Sequence, residues 1–120
     1  MIRMAKAANR VIAGDYLGKP VILTFGVPSI NVGFAKTVNI AKPDVENYEL
    51  VTDEHRKSAS SGIARGLVGG FLLGGVGMVA GAVSAKNKGI YQVAIQFADG
   101  KKSLIEVDDK IYKAIIQKCF

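Results

Sequence analysis

The segment YQVAIQFADGKKSLIEV, residues 91–107, decides the fold class. Tyr, Val, Ile and Phe alternate with Gln and Ala along its first half, which is the period-two pattern of a strand with one buried face. The Asp-Gly pair at 99–100 tolerates the positive φ that tight hairpin turns require. We therefore predict a β-hairpin with strands at 91–97 and 103–107.

The residues after the hairpin are predicted to form an amphipathic helix. Asp108 or Asp109 can cap its N-terminus. Its broad apolar stripe consists of Ile111, Tyr112, Ile115, Ile116, Cys119 and Phe120. Because Cys119 lies on this stripe, we interpret it as a small core residue and not as a reactive thiol. Residues 90–120 thus read as a hairpin followed by a helix that lies across the sheet.

The N-terminal half contains weaker strand signals. β-branched and aromatic runs bounded by Gly or Pro predict strands at 21–25, from residue 37, and from residue 47. Residues 4–13 suggest a short helix or a helix leading into a strand, and 27–36 a loop or an irregular strand. At 120 residues the chain is the size of one domain. We predict an α+β fold with a small antiparallel sheet, a C-terminal helix and a glycine-rich helical insert.

The insert is the segment GIARGLVGGFLLGGVGMVAGAVSAK, residues 62–86. Small residues recur in it at intervals of mostly four, which on a helix places them on one face where a second helix can approach closely. The pattern resembles a glycine zipper and predicts an oligomerisation surface made of Gly62, Gly66, Gly70, Gly74, Gly77 and Gly81.

Three environments could compensate for the low helix propensity of this segment. They are a bilayer, a second copy of the chain, or the segment's own second half folded back at Gly74-Gly75. Residues 66–85 carry no charge over a length that can span a membrane. A single span would, however, leave a small C-terminal part alone on one side. We therefore favour a packed helix or helical hairpin.

The run HRKSASSGIARGLVGG (55–70), continued by KNKGIYQVAIQFADGKKSLIEVDDKIYKAII (86–116), resembles a group of small uncharacterised proteins of Gram-positive bacteria and their phages. In that group a glycine-rich insert precedes a β-hairpin and a C-terminal helix, somewhat like the end of a bacterial pleckstrin-homology-like fold. The resemblance implies a fold and no activity, so it supplies no functional residues.

Few residues suggest chemistry. His55 is the single histidine and Cys119 the single cysteine, whereas a zinc site needs three or four such ligands. The segment GDYLGKP (14–20) lacks the spacing and the Ser or Thr of a phosphate-binding loop. We expect no catalytic residues, no metal and no cofactor.

The formal net charge of +6 is spread along the chain without a basic run, which makes nucleic-acid binding unlikely. The strongest anion-binding candidates are Arg56, Lys57 and Arg65, which flank the start of the insert and lie near its free helix amides. The simpler interpretation is that these three side chains are solvent-exposed charges beside the insert and bind no ligand. An anionic small molecule or lipid headgroup is the ligand that they would suit.

These observations predict a non-catalytic, self-associating interaction module, a homo-oligomer that binds an anionic ligand at subunit junctions. The alternative is a small membrane-inserted protein whose glycine-zipper helices oligomerise in the bilayer. A single cysteine and the absence of an apolar signal region in residues 1–16 favour the cytoplasm, with membrane association left open.

The substitution Gly70→Leu tests the oligomerisation surface. A bulky side chain in the middle of the glycine face blocks close helix approach, so we expect a smaller oligomer. Light scattering of the purified variant beside the wild-type chain measures this change. An unchanged mass would exclude the proposed face.

Overall fold

The computed structural model describes residues 8–52, 66–73 and 89–119. Two helices and seven strands lie within these ranges. In chain order they are β1 (Arg10–Gly14), β2 (Val21–Thr24), β3 (Val27–Gly33), β4 (Lys36–Asn39), β5 (Val45–Leu50), α1 (Gly66–Leu73), β6 (Ile90–Phe97), β7 (Lys102–Asp108) and α2 (Asp109–Cys119).

The strands form two antiparallel sheets where the sequence predicted one. The first has four strands in the order β1-β7-β6-β5, and the second is the meander β2-β3-β4. Between β4 and β5 the chain turns at Pro43 and Asp44, and β5 then pairs with β6 instead of β4. An isolated bridge between Arg10 and Pro20 connects the two sheets.

The hairpin and the C-terminal helix are confirmed. β6 and β7 pair in continuous register from Ile90 opposite Asp108 to Gln96 opposite Lys102. The turn closes through a hydrogen bond from the Gly100 N–H to the Phe97 carbonyl (2.9 Å). This hairpin forms the centre of the four-stranded sheet, because β1 and β5 add to its two sides.

The structure decides between the alternatives that the sequence left open in the N-terminal half. Residues 10–14 are a strand, so a helix over the whole of 4–13 is wrong; residues 1–7 lie outside the described range. Residues 27–33 form the strand β3, whose pairing with β4 is irregular between Asn31 and Gly33, so the irregular strand and not the loop is the correct alternative. Burial of Pro28, Ser29 and Ile30 against neighbouring elements compensates for the poor strand propensities of Pro, Ser and Gly in this segment.

One face of the four-stranded sheet packs against the meander and α2. Odd-numbered residues of β6 and β7 meet Val21 and Ile30 of the meander and the buried stripe of α2. The buried members of this inner core are Val11, Val21, Ile30, Ile40, Val45, Val93, Ile95, Phe97, Ile105, Val107, Ile111, Ile115 and Cys119. Of the predicted apolar stripe of α2, Ile111, Ile115 and Cys119 are buried and Tyr112 and Ile116 are partly buried, while Phe120 lies outside the described residues.

The opposite face of the same sheet is also buried. Ala94 and Leu104 lie there and pack with Val68 of α1, which is fully buried. Helix α1 contacts β5 and β6. The sheet is thus a middle layer, with α1 outside and the meander and α2 inside. A glycine-rich helix over all of 62–86 stays a prediction, since only 66–73 of that segment are described.

The start of α2 is held by a side-chain network at Asp108. Its Oδ1 accepts a hydrogen bond from the Ile111 N–H (2.9 Å), which is N-cap geometry. Its Oδ2 accepts from the Asn9 amide (3.2 Å), and Asn9 Oδ1 accepts from the Asp108 N–H (2.8 Å). Asp108, and not Asp109, is therefore the cap, and it also ties β1 to the end of β7.

Replacing Asp108 with Ala should destabilise the protein by about 1 to 2 kcal/mol, because the cap and the bond to Asn9 are both lost. Urea unfolding of Asp108→Ala measures this change. Asp108→Asn keeps a capping oxygen and should recover most of the loss. Lys110→Ala, at an exposed position of the same helix, is the matched control with little expected effect. Equal midpoints for wild type and Asp108→Ala would contradict the cap.

Candidate functional site

Most of the residues singled out in the sequence lie outside the described ranges. These are His55, the anion-binding candidates Arg56, Lys57 and Arg65, and the glycines Gly62, Gly74, Gly77 and Gly81. Gly66 and Gly70 belong to α1. The anion site and the complete glycine face therefore stay predictions.

Gly66 has a role within its own chain. Its φ of +71° is one that residues with a side chain rarely adopt, and a Cβ there would lie 3.2 Å from Glu49 Oε1. The same Glu49 oxygen accepts a hydrogen bond from the Val68 N–H (3.2 Å), so a carboxylate from β5 caps the first turn of α1. Glycine at position 66 lets the helix start directly against the sheet.

The outer face of the sheet also buries polar groups. Gln92 and Glu106 lie opposite each other on β6 and β7, and each is only 5 % exposed. Glu106 Oε2 accepts a hydrogen bond from the Ala8 N–H (2.7 Å). Among the described residues Glu106 Oε1 has no hydrogen-bond partner. Glu106 thus anchors the chain just before β1 to the middle of the sheet.

Cys119 is a core residue. Its thiol lies 3.4 Å from the Ile40 carbonyl oxygen, within the inner core. Burial raises the pKa of the thiol to about 11, which keeps it protonated and unreactive near neutral pH. This geometry agrees with the structural role predicted for it.

The turn between β2 and β3 exposes an aromatic side chain on a residue whose backbone conformation is strained. Phe25 and Gly26 are its two central residues, and both have positive φ (52° and 78°), as in a type I′ turn. The first of these positions normally holds Asn, Asp or Gly, because a bulky side chain is strained there. Phe25 is nonetheless wholly exposed. Sequence analysis missed it, although a Phe-Gly pair between two apolar runs was the available signal.

A second exposed phenylalanine lies at the other end of β3. Phe34 and Ala35 join β3 to β4, and Ala35 has a φ of 57°, where glycine or asparagine is usual. Phe34 is also wholly exposed, and Leu17, in the turn between β1 and β2, is 63 % exposed. The meander therefore presents an apolar side chain at the tip of each of its two turns.

A cleft of about 340 Å³ lies between the edge strand β4 and the turn of the central hairpin. The hairpin side is fixed by a hydrogen bond from the Ala98 N–H to the Asp44 carbonyl (2.8 Å). The rings of Tyr16 and Phe97 meet edge to face inside the cleft, with centroids 5.9 Å apart. The remaining lining residues are Thr37, Val38, Asn39, Asp44, Ala98 and Asp99.

The two charged residues in the lining of this cleft, Asp44 and Asp99, are both acidic, in contrast to the basic chain as a whole. The Lys101 backbone N–H bonds the Asp99 carboxylate (3.0 Å) and holds its pKa below the usual value. The Lys101 ammonium lies 3.4 Å from Asp99, whose negative charge raises the pKa of the lysine. In the part of the chain described here no side chain pairs with the Asp44 carboxylate. Two acids and one lysine leave one net negative charge.

The described residues do not assemble a metal centre or a membrane span. Across 8–52, 66–73 and 89–119 no three His, Cys, Asp or Glu side chains come close enough to hold an ion. Neither α1 nor α2, the helices seen in those ranges, has the length and apolar character to cross a bilayer.

No protein-family model, curated protein or solved structure matches this chain. The resemblance to small proteins of Gram-positive bacteria and their phages, and to the pleckstrin-homology-like fold, therefore stays a prediction.

Proposed function

We propose that this protein is a non-catalytic interaction module that self-associates, and that the exposed phenylalanines of the meander make the contacts. The observation that supports this most directly is Phe25. It combines full exposure with a backbone conformation that its side chain disfavours. Strained positions of this kind concentrate at functional sites, because the surrounding structure stabilises them for another purpose.

The energetics suit a contact residue. Leaving a phenylalanine in water forgoes about 1.5 to 3 kcal/mol that its burial would provide. Left-handed backbone at a bulky residue costs of order 1 to 3 kcal/mol more. A second copy of the chain that covers the ring recovers the first of these terms. In a symmetric dimer each such contact occurs twice.

The predicted glycine face is a second element of the same proposal. It would join copies through the insert, whereas Phe25 and Phe34 would join them through the meander. Because β3 lies between the two turns and has seven residues, Phe25 and Phe34 lie beyond opposite ends of a strand about 23 Å long. Two separate contacts per copy allow an oligomer larger than a dimer. We place this module in the cytoplasm, with an anionic ligand at the subunit junctions as part of the proposal.

The substitution Phe25→Asn separates folding from association. Asparagine fits the first position of a type I′ turn, so the isolated chain should gain about 1 kcal/mol of stability. The same change removes the ring, so the average mass should fall toward that of the monomer. Urea unfolding in dilute solution measures stability, and light scattering over a concentration series measures association.

Thr24→Asn is the matched control for association, since it places the same amide at the adjacent exposed position and should leave the mass unchanged. A wild-type chain that is monomeric at all concentrations would refute self-association. A more stable Phe25→Asn variant of unchanged mass would show instead that Phe25 is not a contact. Phe34→Asn, tested in parallel, reports on the second turn.

A further inference from the structure

We infer that the cleft beside Tyr16 and Phe97 binds an organic ammonium or guanidinium group. The cleft is independent of the phenylalanine contacts proposed above, because its lining contains neither Phe25 nor Phe34. Its volume of about 340 Å³ lies at the lower end of the range for small-ligand pockets. That space accommodates a cationic head with a short alkyl stem.

The inner part of the cleft is aromatic and aliphatic. Phe97 is only 2 % exposed, and Tyr16 and Val38 are partly buried. The edge-to-face arrangement of the two rings holds both in place. Because Phe97 is almost completely buried, Tyr16 is the ring that a ligand can reach. An aromatic ring attracts ammonium and guanidinium groups through its negative face, and the aliphatic stem of such a ligand packs on the same surface.

The mouth of the cleft determines the sign of the ligand's charge. Asp44 and Asp99 come from distant parts of the chain and are brought together by the bond between the Ala98 N–H and the Asp44 carbonyl. Lys101 balances one of the two carboxylates, at Asp99. None of the described side chains pairs with the Asp44 carboxylate, so this carboxylate is available to a cationic ligand. Thr37 and Asn39 add neutral polar groups to the same lining.

The same charges exclude the opposite ligand. A phosphate or carboxylate group in this cleft would lie beside two carboxylates with only one lysine nearby. Anion binding predicted at Arg56, Lys57 and Arg65 would therefore need a different surface. The cleft and those residues make separate proposals with opposite charge preference.

Titration of the full chain with n-butylammonium and ethylguanidinium, followed by amide NMR shifts, tests the inference. We expect saturable shifts at Asn39, Ala98 and Asp99, and no such shifts with n-butanol or butyrate. Asp44→Asn should weaken binding about fivefold, the effect of one charge at contact distance near water. Glu46→Gln, an equal charge change at an exposed β5 position, should leave the affinity unchanged.

The side chain of Asp44 makes no described contact that folding needs, so the variant spectrum should retain the wild-type dispersion. Three results would each overturn the inference: equal binding of butanol, shifts without saturation, or equal affinity of Asp44→Asn and wild type.

A second titration uses a short peptide with one lysine. Tighter binding of the peptide than of butylammonium identifies a protein side chain as the source of the cation, and equal binding identifies a free small molecule. Light-scattering mass is a separate readout, so this proposal and self-association can fail independently.

Discussion

The structure depends on one constraint: the four-stranded sheet must be covered on both faces. Its inner face carries Val93, Ile95, Ile105 and Val107, which are all fully buried. Its outer face carries Ala94 and Leu104, which are equally buried. Apolar surface on both sides of one sheet requires a three-layer arrangement, because exposing either face costs about 25 cal/mol for each Å². The meander and α2 cover the first face, and α1 packs on the second over β5 and β6.

Because the outer face must be covered, the beginning of the glycine-rich segment packs on it as α1. Helix α1 is apolar and uncharged, which in sequence suits a bilayer as well as a protein core. In the structure Val68 enters the small outer cluster, and the Glu49 carboxylate caps the helix from the sheet below. Glycine at position 66 allows this close approach, since the residue has a left-handed φ and a Cβ there would make a tight 3.2 Å contact with the Glu49 carboxylate. At least residues 66–73 therefore pack against their own chain.

The sequence predicted the parts of the fold that local patterns encode. The β6 strand, the Asp-Gly turn and the buried side of α2 each depend on neighbouring residues only, and all three are confirmed. The single buried face that the alternation in β6 predicted is wrong, because Gln92 and Ala94 are buried as well as Val93 and Ile95. The burial of the outer face could not be read in the same way, because Gln and Ala alternating with large apolar residues is also the pattern of a sheet with one solvated face. Asp44 and Asp99 meet in one cleft through a long-range backbone bond, which no local pattern reports. The strain at Phe25 was equally hidden, since Phe has good strand propensity and no turn preference.

Thiol labelling of Val68→Cys in a Cys119→Ala background tests the three-layer arrangement most directly. Val68 is fully buried, so its replacement should react only when α1 leaves the sheet, about a thousandfold or more slowly than an exposed thiol. Leu17→Cys in the same background supplies the exposed reference. Protection of position 68 that disappears together with the native fold in urea is the predicted result. Equal labelling rates at positions 68 and 17 in the native protein would contradict the packing of α1 on the sheet.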